Sequence, residues 1–297
     1  MARHYLDHAS TSPPRPGVVD AMVEWLGRTA DPGRVHTEGR MVRAAIEEAR
    51  ESVAALLGVR PRQVVFTSGG TEAVNAATWG AAAVCPGGVI ACAAVEHSSV
   101  RDASDRAGNV AVIPVDGEGR VDAEFVAALV KTTTPVAAVH CQWGNHEVGT
   151  LQPIGEVVAT CRSAGVVVHV DAAGAAGNVA LDVGGLDADL VSVSAHKFGG
   201  PPGAGAMIVR RGLRVAPLLV GGEQERARRA GMENVPAIVG FGHAAASVAA
   251  TLADEARAAR QRTEALRSAA LAVPGVVAYG SGTDRLPHIV CVGVEGV

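Results

Sequence analysis

The stretch "DLVSVSAHKFGGPPGAGAMIVRR", residues 189–211, decides the fold. Valine and serine alternate up to Ser194, and a second apolar run opens at Gly205. Between them lie one lysine, Lys197, and a loop of glycines and prolines. Alternation closed by turn residues predicts strand, loop, strand. Lysines usually stay in water, so a surface place at the loop entrance is one reading of Lys197. The other puts its amine at a strand end, facing a cleft.

Upstream, the apolar runs "QVVFT" (63–67), "VIACA" (89–93), "VAVIPV" (110–115), "VAAVHC" (136–141) and "VVVHVD" (166–171) predict further strands. Helical spacing fills the gaps: from Thr71, over 98–106, in "AEFVAALVK" (123–131) and in "IGEVVATCRSAG" (154–165). Two amphipathic helices, 18–29 and 38–58, precede the first strand, and Gly58 stops the second. Strands alternating with helices predict an α/β fold, a mostly parallel sheet with helices on both faces.

At 297 residues the chain can bury a large core and part of a second domain. Apolar residues make up 48% and charged residues 19%, and the net charge of -4 supplies no basic field for nucleic acid. Apolar runs break before the roughly 18 residues of a membrane span, and "MARHYLDHAS" lacks a signal-peptide core, so a cytoplasmic protein is expected. Five cysteines without a CxxC pair argue against a disulfide framework and a zinc site.

In sheets of this class ligands bind at the carboxyl ends of strands. After the first strand, "TSGGTE" (67–72) leads small residues into a helix, where free amides and the Thr71 hydroxyl could hold an anion. An ordinary glycine turn with a threonine cap is the alternative. Asp171 closes "VVVHVD", where a carboxylate is costly to bury unless a cation meets it; it could also cap the segment that follows. His97 in "VEHSS" could exchange protons or be a bonded loop residue. An anion site, a carboxylate for a protonated ring nitrogen and a cleft lysine together match the needs of pyridoxal phosphate. Ser194 and His196 would be further phosphate donors.

These residues carry a resemblance. The chain is similar to the class V aminotransferase fold, and specifically to the cysteine desulfurases, through "YLDHASTSPPRP", "HTEGR", "VVFTSGGTEAVN", "VEHSSV", "NHEVGTLQPI", "VVVHVDAAGAAG", "VSVSAHKFGGPPGAGAMIVRR" and "GGEQERARRAGMENVPAIVGFG". The segments are collinear and cover nearly the whole sequence. The resemblance implies the large domain of the fold type I pyridoxal-phosphate transferases, here 16–252. It also implies a smaller α/β domain, incomplete, at 253–297, with 1–15 packing on that smaller domain. Lys197 would bond the cofactor's aldehyde, Asp171 would pair with the pyridinium nitrogen, and His97 would stack on the ring and assist proton transfer. Gly70, Thr71, Ser194 and His196 would hold the phosphate. L-cysteine is the implied substrate and L-alanine the product, with sulfur leaving as a persulfide for an acceptor protein, as in iron-sulfur cluster assembly. A homodimer is also implied.

Three positions depart from the family pattern. His146 stands for an asparagine and Gly174 for a glutamine, both contacts to the cofactor's phenolic oxygen, and His146 could restore one of those bonds. Met232 stands for a threonine that reaches the partner subunit's phosphate. The ending "HIVCVGVEGV" reads as a strand cut in mid-domain, so a fragment or truncated product is expected, without the family's persulfide cysteine loop and carboxylate-binding arginine. For Cys141 the expected reading is a buried core thiol, and it is also the one retained cysteine that could lie near the cleft. An aminotransferase or β-lyase, or a non-catalytic cofactor-binding subunit, are the competing functions.

Overall fold

The computed structural model describes residues 4–28, 31–280, 282 and 284–296. Two helices come first, α1 (Val18–Leu26) and α2 (Thr37–Leu57). Val42, Ile46, Ala49, Val53 and Leu57 of α2 recur every three or four residues and are all buried. The His36 side chain caps the start of α2, and Gly58 ends it in the left-handed conformation, φ 66°.

The sheet chain then runs β1 (Val64–Thr67), α3 (Gly70–Val84), β2 (Val89–Ala93), α4 (Ser98–Ala107), β3 (Val110–Ile113) and α5 (Ala123–Leu129). It continues through β4 (Val136–Gln142), α6 (Ile154–Ala164), β5 (Val167–Asp171), a short α7 (Val183–Leu186), β6 (Leu190–Ser194) and β7 (Gly205–Val209). The order is β1-β7-β6-β5-β4-β2-β3. Neighbouring pairs from β3 to β6 are parallel, whereas β7 runs antiparallel to both β6 and β1. The segment 195–204 is shorter than the dozen or more residues of a parallel crossover, so β7 must return beside β6 in reverse. Strands β1, β6 and β7 are buried at every position, as sheets covered on both faces require.

After a left-handed turn, α8 (Gln224–Ala227), the long helix α9 (Val235–Leu271) packs on α1 and α2, and β8 (Val276–Tyr279) pairs antiparallel with β9 (Cys291–Val294). Close packing sets the α9 sequence. A Cβ on Gly242 would lie 2.5 Å from Ala49 Cα, and one on Gly240 would lie 2.7 Å from Met22 Cγ. By length and composition α9 could cross a membrane, yet Phe241, Ala244, Ala245 and Val248 are buried in the core of this chain. Residues 252 and 253 lie inside α9, which continues without a break. The N-terminal segment lies along the turn that carries Lys197: the Ser12 amide donates to His196 O, and the Arg15 amide to Gly199 O. The Arg15 side chain reaches Glu255 of α9.

Candidate active site

The β1–α3 turn builds an anion cradle. Gly69 precedes the first helical residue, and the opening amides of a helix have no partners within it and carry its positive end. Glycine in β7 allows this turn to sit close, because a Cβ on Gly205 would lie 2.6 Å from the Gly69 carbonyl carbon. Across the turn stands Ser194, buried at the end of β6, its Cβ 3.4 Å from where a Gly70 Cβ would be. Glu72 in the same helical turn is answered by Arg229 at 2.9 Å and by the Ser68 amide at 2.9 Å.

Asp171 ends β5, level with Gln142 of β4 and Ser192 of β6. Its Oδ1 accepts from the Ala173 amide at 2.9 Å, so it does cap the following segment while also lining the cavity. Burial raises its pKa above the ordinary carboxylate value, while the Ala173 amide, His97 and Lys197 pull the other way. Lys197 lies on the 3-10 turn Ala195–Phe198 after β6, and its Nζ donates to Ala9 O at 2.7 Å. Burial lowers the pKa of its amine, opposed by Asp171 and Asp7, which moves it toward the neutral, nucleophilic form.

His97 caps α4: its Nδ1 accepts from the Ser99 amide at 3.1 Å. His146 stands against it, ring centroids 5.1 Å apart at 70°. Gly70, Thr71, His97, His146, Asp171, Ser194, His196 and Lys197, read from separate stretches of sequence, thus line one cavity of about 290 Å³. Gly174 lies on the same wall, and Met232 is 60% exposed. A larger hollow, about 520 Å³, lies between α2 and the 223–233 loop. Arg50 bonds Glu225 there at 2.7 Å, and the hollow holds no lysine.

Cys141 is the core thiol that the first of its readings describes, and it does not reach the cleft. Successive strand residues point to opposite faces, and in β4 it is Gln142 that lines the cavity. Cys141 is wholly buried in the core beyond, and burial, Glu96 and the neighbouring Cys161 and Cys92 push its thiol pKa well up. Glu96 is a residue the sequence reading passed over. It is buried, accepts the Gln142 amide at 2.6 Å, and leaves Oε2 without a partner among the described residues. Burial first, then Asp171, raise its pKa well above the carboxylate range. Its signal was a carboxylate in the turn after β2, directly before His97.

The family model for aminotransferase class-V matches residues 4–297. A cysteine desulfurase of Cereibacter sphaeroides is 38% identical, covering 99% of this chain and 77% of that protein. Among solved structures, a NifS-like protein superposes with a TM-score of 0.91 at 31% identity, covering 100% of this chain and 83% of that one. The structure of SspA in complex with cysteine gives 0.87 at 28%, covering 99% and 84%.

Proposed function

We propose that this cavity is the working site of the chain, which belongs to the class V aminotransferase family and within it to the cysteine desulfurases, enzymes that convert L-cysteine to L-alanine. The observation that carries the assignment is the meeting of Lys197, Asp171 and the start of α3 in one cavity. The donor set fits pyridoxal phosphate. Gly70, Thr71, Ser194 and His196 surround the place for its phosphate, Asp171 would hold its ring nitrogen, and Lys197 would bond its aldehyde. When bound, the cofactor supplies an electron sink for the charge left at the substrate's α-carbon. The residues of the chain do the rest. An Asp171 carboxylate would keep a ring nitrogen protonated, and the Lys197 amine is the base that would take the α-proton.

Sulfur then needs a thiolate. Cys92, Cys141 and Cys161 are buried, whereas Cys85 and Cys291 are only partly so, and we infer that sulfur passes on to a thiol of an acceptor protein. We also infer a symmetric pair of chains, because Val220 and Met232, apolar residues on either side of α8, are 78% and 60% exposed. Light scattering that finds a monomer with cofactor bound would refute the pairing. The test of function is the product. The cofactor-loaded chain, given L-cysteine and a dithiol acceptor, is expected to form alanine and sulfide in equal amounts. Pyruvate with ammonia would instead assign a β-lyase.

A further inference from the structure

Three histidines line the cavity, His97, His146 and His196, and hydrogen bonds engage two of them. His97 Nδ1 accepts from the Ser99 amide at 3.1 Å and lies 2.8 Å from the Ser99 hydroxyl. An amide can only donate, so Nδ1 keeps its lone pair and the neutral ring carries its proton on Nε2. A second proton at Nδ1 would face that amide. His196 Nδ1 is 3.2 Å from the Thr11 hydroxyl. His146 differs: neither ring nitrogen has a hydrogen-bond partner among the described residues, and Glu147 Oε1 stands 3.9 Å from Nε2, beyond bonding reach. Its side chain is 29% exposed.

We propose that His146 is the proton acceptor the cavity offers to the ammonium group of an entering amino acid. The proposal rests on the reading of this cavity as an amino-acid site. A substrate ammonium has no lone pair, so its nitrogen cannot bond carbon until it loses one proton. That N–H bond breaks on the substrate, a new N–H bond forms on the His146 ring, and the positive charge passes from ammonium to imidazolium with no change of oxidation state. His97 remains an Nε2–H donor throughout. The asparagine of the family pattern has no lone pair that titrates here, so the step belongs to this chain's own substitution.

The surroundings favour an unprotonated ring. Burial acts first. Then His97 ahead of α4, Arg101 on α4 and Lys197 after β6 oppose a proton on His146, while Glu147 beside it favours one. The sum places its pKa below the ordinary histidine value of 6.5. At neutral pH the acceptor is therefore free, and it is lost only as pH falls through that lowered value.

Two measurements decide. Histidine ring signals of the full chain without cofactor are followed by NMR against pH, and the signal missing from His146→Asn identifies this residue. It should titrate with a midpoint below 6.5; a midpoint at or above the ordinary value overturns the proposal. Association of L-cysteine and of L-alanine with the cofactor-loaded chain is then followed by cofactor absorbance. His146→Asn should slow both by roughly tenfold or more at neutral pH, recovering as the amine loses its proton in alkali. Unchanged rates, or a loss that alkali does not restore, would overturn the proposal. A chain that takes up no cofactor would sink the functional reading, while the NMR arm still judges His146.

Discussion

His140 and His169 meet Nδ1 to Nδ1 at 2.8 Å, wholly buried between β4 and β5, and His169 Nε2 lies 2.7 Å from the Ser192 hydroxyl. In such a contact one nitrogen must donate and the other accept, so a proton added to the acceptor would set two N–H groups against each other. His169 and Asp171 share a face of β5, which puts this neutral pair in the layer beneath the cavity.

Acid should therefore loosen the fold. Burial drives His140 down to about 4 from an unfolded value of 6.5, and burial with the His140 neighbour drives His169 well below 6.5. The folded pKa lies below the unfolded one, so no penalty exists above 6.5. Below it the unfolded chain binds the extra proton, and stability falls until about 4 is reached. The loss for His140 is on the order of 3 kcal/mol. Urea unfolding across this range should show the fall, with a shallower slope in His140→Asn. Equal slopes in parent and variant would contradict it.

Replacing Asp171 by asparagine should separate binding from turnover. The neutral amide can still fill the cavity floor, but it cannot hold a ring nitrogen protonated. Cofactor affinity is expected to persist, and exchange of the α-proton of alanine for solvent deuterium should slow roughly a hundredfold or more. Exchange at the parent rate would make Asp171 a cap for Ala173 alone.

Cys141→Ala should leave alanine and sulfide formation within about twofold of the parent, because a thiol facing the far side of the sheet cannot reach the substrate. The cost should be one of packing, about 1 kcal/mol in urea. Abolished sulfide release with a normal unfolding midpoint would make Cys141 the nucleophile.

Much of this site was legible because polar residues interrupt apolar runs where strands end, and Asp171, His97 and Lys197 are such interruptions. The side of the sheet on which Cys141 falls was not legible, since Gln142 is its neighbour and the pairing of β4 with β5 decides which of them faces the cavity. Helix α9 escaped for a related reason. Its opening half buries small residues on more than one side, Gly242 against Ala49 and Gly240 against Met22, so it shows no clean apolar stripe. The 3-10 turn that carries Lys197 is held from outside by Ala9, Ser12 and Arg15, distant in sequence, and no local pattern announces those bonds. Glu96 lay inside a quoted motif, but its burial against the Gln142 amide depends on β2 lying beside β4.

The central claim is that Lys197 holds the cofactor. The most direct measurement is borohydride reduction of the chain reconstituted with pyridoxal phosphate, followed by mass mapping of its peptides. One label per chain is predicted, on the peptide containing Lys197, and none in Lys197→Ala. A label on Lys131, the other lysine of the sequence, or no label on a chain that has taken up the cofactor, would contradict the account.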